Sequence, residues 1–258
     1  MKKNFFGLLL FLAVLMLTAC GGQKSDSGSS EKADNEVTGK IVIYTSMYED
    51  IIDNVKVKLK EKFPKLEVEF FQGGTGTLQS KIAAEMQSNK LGADILMVAE
   101  TSYALELKEK GILHSYVSKN AENIALEYDK EGYWYPVRIS NMILAYNPEK
   151  ISKDKVAQSF EEFANKPELA GKISIPDPLK SGTALASVSA LEQKYGEQYF
   201  QALAKQKPTV ESGSVAVNKL ETGEASQIMI LEESILKKRE EEKSALEVIY
   251  PTDGVITT

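Results

Sequence analysis

From Lys40 onward the apolar positions alternate between two spacings. "KIVIY" (40–44) is a short β-branched run, and Ile51, Val55, Leu59 and Phe63 then recur every four residues until Pro64 stops the helix. "LEVEFF" (66–71) predicts a second strand, and after a glycine-rich loop Leu78, Ile82 and Met86 predict one stripe of a second helix. "ADILMVA" (93–99) is apolar throughout, as suits a strand covered on both faces, and a helix from about Thr101 to Lys110 ends at Gly111.

A second region opens with "YWYPVRISNMILAYNP" (133–148), which predicts two strand-like runs meeting near Arg138. Ser159 and Glu162 form a capping box, "KISIPDP" (172–178) predicts a strand, and Thr183–Tyr195 is helical with Ala184, Val188, Leu191 and Tyr195 on one side. A helix near Ser214–Leu220, a strand at Gln227–Leu231, a charged helix over 233–243 and the run "LEVIY" (246–250) complete the alternation. The order predicts an α/β fold with mainly parallel sheets, in two lobes joined by crossings near residues 100 and 240.

The N-terminus follows other rules. Lys2 and Lys3 precede an apolar run from Phe5 to Leu17, shorter than the ~20 residues a spanning helix needs, so residues 1–19 form an export signal. "LTAC" resembles the bacterial lipobox, which implies cleavage before Cys20 and a lipid on that cysteine, anchoring the chain to the membrane outside the cytoplasm. Cys20 is the only cysteine, so no internal disulfide forms. Residues 20–39, rich in Gly, Ser and charge, predict a flexible tether reaching roughly 25 Å. Beyond it, 40–137 with a returning segment 238–258 is assigned to the first lobe and 138–237 to the second.

Composition (43% hydrophobic, 26% charged) suits two modest cores, and a net charge of −6 without any basic cluster excludes nucleic acid as a partner. Any anion site must therefore be local. "FFQGGTGTLQSKI" (70–82) leaves a strand and opens a helix. It lacks the Lys-Ser or Lys-Thr of a Walker loop, and Gln79 stands where a dinucleotide fingerprint needs its third glycine. Thr75 and Thr77 sit where free backbone N–H groups and the positive end of the helix dipole converge. "PDPLKSGTA" (176–184) repeats this arrangement in the second lobe with Ser181, Gly182 and Thr183. Two such loops, one per lobe, can grip one oxyanion across a cleft.

The combination of Tyr44–Ser46, "GGTGTL" (73–78), "YNPEKI" (146–151), "IPDPLKSGTA" (175–184), "SGSVAV" (212–217) and "YPTDG" (250–254) resembles the solute-binding lipoproteins of bacterial ABC importers of the ferric iron, phosphonate and sugar-phosphate type. The resemblance implies a two-lobed periplasmic-binding-protein type 2 architecture with a ligand cleft between the lobes. It further implies hinge closure on a small anionic solute, delivery to a membrane permease, a monomeric state and no cofactor. Family members continue past the stretch that matches "PTDGVITT" with a strand and closing helices, so the chain is expected to be a C-terminally truncated form with part of the first lobe uncovered.

The ligand-binding residues expected on this basis are Ser46, Gly74, Thr75, Gly76, Thr77, Arg138, Ser181, Gly182, Thr183, Glu232 and Glu233. Ferric-binding members resemble one another in two adjacent tyrosines, whereas this chain has Leu231, Glu232 and Glu233 there; ferric iron therefore stands as the alternative ligand and no metal site is assigned. Carboxylates suit sugar hydroxyls or an ammonium group, so a sugar phosphate or an aminoalkylphosphonate is expected. Arg138 suits an oxyanion or a structural carboxylate. His114, the only histidine, is assigned a structural role on a surface turn, and Tyr133, Trp134 and Tyr135 a place in the core or cleft wall.

Other classes compete. A secreted phosphate-ester hydrolase would need a nucleophile and base; the chain has one histidine, no G-x-S-x-G elbow, and an S-x-x-K only at Ser152–Lys155 in a polar run, so no enzyme is expected. A receptor-docking sensor would use the same fold.

Overall fold

The computed structural model describes residues 37–258. The export signal (1–19), Cys20 and the tether up to residue 36 lie outside the described residues.

The first lobe is a parallel three-stranded sheet in the order β2-β1-β3, from β1 (Gly39–Thr45), β2 (Leu66–Gln72) and β3 (Ile95–Met97). α1 (Glu49–Lys62), α2 (Thr75–Gln87) and α3 (Thr101–Glu109) follow these strands in turn. The stripe on α2 packs as its spacing requires: Leu78 and Ile82 are buried with Tyr44, Tyr103 and Leu107, and Met86 lies against them. On α1 the spacing misplaces the face, because Ile52 is its fully buried residue while Ile51, Val55 and Leu59 are half-buried.

Residues 133–140, expected to form a strand, are irregular, and the chain enters the second sheet only at β4 (Asn141–Tyr146). Pro136 explains this, since it removes a ladder donor in the middle of the run. The second sheet runs β6-β5-β7-β4-β8, with β9 also on β4; its strands are β5 (Ile173–Pro176), β6 (Thr209–Glu211), β7 (Gln227–Leu231), β8 (Glu247–Ile249) and β9 (Ile256–Thr257). β5 is parallel to β6 and β7, whereas β4 is antiparallel to β7, β8 and β9, so this sheet is mixed rather than mainly parallel. Pairing of β8 and β9 with β4 keeps residues 247–257 in the second sheet, where a return to the first lobe was expected.

Period-two alternation gives this sheet a core on each face. Met142, Leu144 and Tyr146 of β4 and Met229 and Leu231 of β7 face Phe160, Phe163, Leu169 and Leu191. Ile143, Ala145, Ile228 and Ile230 face Ala216, Leu220, Ile235 and Leu246. The helices covering these faces are α4 (Phe160–Asn165), α5 (Gly182–Tyr195), α6 (Glu197–Lys205), α7 (Gly213–Thr222) and α8 (Glu232–Glu242). α4 starts as expected, with Ser159 Oγ accepting from the Glu162 N–H at 3.0 Å; the Glu162 carboxylate accepts from Gln158 N–H at 2.9 Å, one residue before the cap. α6, with Tyr199 and Leu203 buried, was not expected from the sequence.

Phe163 is fully buried, so Phe163→Ala is expected to cost about 3–5 kcal/mol through lost transfer energy and a residual cavity. Urea unfolding monitored by far-UV circular dichroism tests this; a loss below about 1 kcal/mol would mean that the site collapses around the deletion.

Candidate functional site

In a parallel arrangement each strand delivers the next helix N-terminus to the same sheet edge, which is where α/β folds gather ligands. β1 and β2 deliver α1 and α2 to one edge, and β5, β6 and β7 deliver α5, α7 and α8 to another. The two edges face each other across a cleft of about 1090 Å³. Of the expected site residues, Ser46, Gly74, Thr75, Arg138, Ser181, Gly182, Thr183 and Glu233 line it.

One contact between the lobes joins the loops that open α2 and α5. A Cβ on Gly74 would lie 2.4 Å from the Lys180 carbonyl oxygen, one on Gly76 2.1 Å from the Leu179 carbonyl oxygen, and one on Gly182 2.6 Å from Thr75 Oγ1. None of the three has a positive φ, so the turns themselves tolerate other residues. What demands glycine is the approach of one loop to the other. Gly76 therefore serves packing between loops, and exposed Thr77 lies outside the cleft lining.

The two loops differ in what they offer. α2 has Gly74 at its N-cap with no side-chain cap, its first helical bond runs from Leu78 N–H to Gly74 O at 3.0 Å, and no hydrogen bond among the described residues uses the N–H of Thr75, Gly76 or Thr77. Thr75 is 2% exposed, and its Oγ1 has no hydrogen-bond partner. α5 is capped: Ser181 Oγ accepts from Ala184 N–H at 3.3 Å and lies 3.0 Å from Thr183 Oγ1, so these hydroxyls already serve each other. α7 brings a third N-terminus, with Ser212 and Gly213 lining the cleft and Ser212 Oγ accepting from Val215 N–H at 3.4 Å. The Ser-Gly-Ser after β6 repeats the pattern of 181–183 and was the signal available in the sequence for this position.

Charge in the cleft is balanced pairwise. Arg138 donates through Nη2 to both Glu233 oxygens at 2.6 and 2.5 Å and to Ser140 Oγ at 2.9 Å, so it meets the carboxylate rather than standing free. Tyr48, the N-cap residue of α1, has its phenol pushed up by burial, with Ser234, Glu233 and Arg138 close by. Glu211, which the sequence did not single out, lines the cleft and accepts from Ser174 Oγ at 2.7 Å, Thr209 Oγ1 at 3.0 Å and Lys219 Nζ at 2.8 Å. Glu232 turns the other way and lies outside the lining, accepting from Asn141 Nδ2 at 2.8 Å and Tyr250 OH at 2.5 Å. His114 is exposed, as a surface turn requires, and also lines the cleft. Tyr133, Trp134 and Tyr135 form part of the wall as expected, and Tyr135 OH is fixed by donating to Tyr116 O at 2.8 Å. Among the described residues no group of three or more His, Cys, Asp or Glu side chains is placed to hold a metal ion.

Residues 92–258 match the family model described as bacterial extracellular solute-binding protein. The chain is 25% identical over 268 residues to an uncharacterized protein of Haemophilus influenzae, covering 98% of this chain and 73% of the relative. Among solved structures it resembles the periplasmic binding protein P5PA at 27% identity and TM-score 0.73, over 85% of this chain and 72% of that one. It also resembles the periplasmic binding protein AfuA from Actinobacillus pleuropneumoniae, solved with exogenous fructose-6-phosphate bound, at 26% identity and TM-score 0.74, over 85% and 71%. Iron-bound HitA from Pseudomonas aeruginosa, at 21% identity and TM-score 0.68 over 82% and 69%, shares the fold.

Two outcomes follow from this geometry. Gly76→Ala is expected to push the loops apart, because a methyl group 2.1 Å from a backbone oxygen has nowhere to go; overpacking of this kind costs about 1–3 kcal/mol, and small-angle scattering would register a larger radius of gyration. For Glu232, hydrogen bonds from Tyr250 and Asn141 hold the carboxyl below its ordinary range. Its contribution to stability is thus present above the ordinary carboxylate pKa and lost as pH falls through the lowered one. Wild type minus Glu232→Gln, measured by urea unfolding, is expected to be constant above about pH 5 and to shrink below about pH 4.

Proposed function

Because the chain belongs to the bacterial extracellular solute-binding protein family, we propose that it is the extracytoplasmic binding component of an ABC transporter, closing its lobes around a small phosphate- or phosphonate-bearing anion. A sugar phosphate or an aminoalkylphosphonate fits the expected donors. The protein presents the solute to its permease and catalyses no reaction on it, acting as a monomer held at the membrane by a lipid on Cys20.

One observation carries the choice of an oxyanion: the bare N-terminus of α2, beside a threonine hydroxyl that is buried and unpartnered. A buried hydroxyl without a partner costs on the order of 1–3 kcal/mol, and a free helix N-terminus adds roughly half a positive charge at the same point. A phosphoryl oxygen satisfies both once the loops part enough to admit it. The likeness to a protein solved with fructose-6-phosphate supports this ligand class.

Isothermal titration calorimetry with fructose 6-phosphate, 2-aminoethylphosphonate, inorganic phosphate and Fe(III) tests the reading. Saturable binding of at least one phosphorylated solute is expected, with Thr75→Ala weakening it by about tenfold through loss of one charge-assisted hydrogen bond. Retention of Fe(III) alone would replace this reading with ferric transport, and product release from the esters would replace it with hydrolysis. Radiolabelled palmitate incorporated into wild type and absent from Cys20→Ala is the result expected for the anchor.

A further inference from the structure

The second-lobe side of the loop contact is arranged to accept hydrogen bonds rather than to donate them. Between β5 and α5, Pro178 has no N–H, and the other N–H groups of residues 177–181 are taken up within the second lobe. Asp177 N–H donates to Glu211 O at 3.1 Å, and Leu179 N–H to Asp177 Oδ1 at 3.0 Å. The N–H groups of Lys180 and Ser181 both donate to Asp177 O, at 3.1 and 2.9 Å. In a trans peptide the N–H of one residue and the carbonyl of the residue before it point in opposite directions. Drawing the Lys180 and Ser181 N–H groups in to Asp177 therefore turns the carbonyls of Leu179 and Lys180 outward.

These are the two oxygens that lie against the start of α2, 2.1 Å from a Cβ placed on Gly76 and 2.4 Å from one placed on Gly74. Neither oxygen accepts a hydrogen bond among the described residues, and the N–H groups of Thr75, Gly76 and Thr77 donate none. The contact thus brings unpaired acceptors up to unpaired donors without joining them. Partially negative oxygens beside a helix N-terminus stand where an anion is most favoured. Their approach also buries Thr75 Oγ1 without a partner, so the contact is one that a better acceptor can displace.

We propose that residues 177–181 form an autoinhibitory loop: with no solute bound, the carbonyls of Leu179 and Lys180 rest against the N-terminus of α2, and an anion reaches those donors by displacing them. The inference rests on the proposed phosphoryl site at α2 and adds the group that the solute must move. Asp177 is a positioning residue, since it acts through the loop backbone. The Leu179 side chain is 83% exposed, so backbone bonds to Asp177 rather than side-chain packing hold the loop tip. The measured affinity then includes the cost of moving the loop, and loosening the loop tightens binding.

Isothermal titration calorimetry of the purified chain with fructose 6-phosphate, 2-aminoethylphosphonate and inorganic phosphate tests this. Asp177→Ala and Asp177→Asn both remove the charge and release Lys180 from its 3.2 Å pair, but only the alanine removes the acceptor for the Leu179 N–H. Asp177→Ala is therefore expected to bind about threefold more tightly than Asp177→Asn. Leu179→Gly keeps both charges and frees the backbone, and is expected to bind about threefold more tightly than wild type; it also serves if Asp177→Ala does not fold. Thermal unfolding supplies the second readout. A merely structural loop would lose melting temperature and affinity together, whereas the autoinhibitory loop loses melting temperature while affinity rises. Asp177→Ala no tighter than Asp177→Asn, with Leu179→Gly no tighter than wild type, overturns the autoinhibitory role and leaves the phosphoryl site standing. A wild type that binds none of the three solutes overturns both.

Discussion

The rest of this architecture depends on how close two backbones are allowed to come. At Gly74, Gly76 and Gly182 the loop opening α2 meets the loop opening α5 at distances where any side chain would collide with a carbonyl oxygen or a hydroxyl. Each strand-to-helix unit fixes one loop at a sheet edge, and the crossing after α3 sets the edges opposite one another. The glycines are needed not for their own backbone angles but for the partner loop, so the constraint is one of assembly between lobes.

On the proposed reading, that contact also bears on how an acidic chain would hold an anion. Net charge of −6 gives no long-range attraction for a phosphate, so binding of one would have to come from dipoles at short range. α2 keeps its N-terminal donors free, whereas α5 and α7 spend hydroxyls on their own caps. The asymmetry divides the work: one lobe carries open donors, and the other supplies a rigid surface that seals them. Capping stabilises α5 and α7 regardless of ligand, while α2 is left with unsatisfied groups that only a ligand or water can complete.

Much of this was legible in the sequence, and the failures have physical causes. The strands at 40–44 and 66–71, the stripe on α2 and the capping box at Ser159 depend on local spacing, and local spacing predicted them. Residues 133–140 carry enough apolar side chains to suggest a strand, yet Pro136 and the lack of a neighbouring partner leave them irregular. The route of 238–258 was missed because β8 and β9 are chosen by pairing with β4, about a hundred residues earlier, which no local pattern encodes. The same holds within the site. Glu232 and Glu233 are adjacent on one helix turn and point apart, and which one enters the cleft is decided by Asn141 and Tyr250 on one side and Arg138 on the other. The glycine and hydroxyl loops were visible, but the division between capped and uncapped helices was not.

Closure itself rests on unequal contributions. Besides the glycine contact, Asp50 on α1 meets Lys237 on α8 at 2.8 Å, with both side chains 46% exposed. Exposed pairs of this kind contribute about 0–1 kcal/mol and are screened by salt, so this one adds little to the contact between the lobes. The loop contact is steric and limits how near the loops come, but the buried Thr75 hydroxyl it leaves without a partner opposes that approach. A solute that completes that group removes the penalty only in the closed form, and that difference in affinity between the two forms is what moves the equilibrium. On the proposed reading, the unpartnered Thr75 hydroxyl and the donors of α2 are therefore what would link recognising the solute to closing on it.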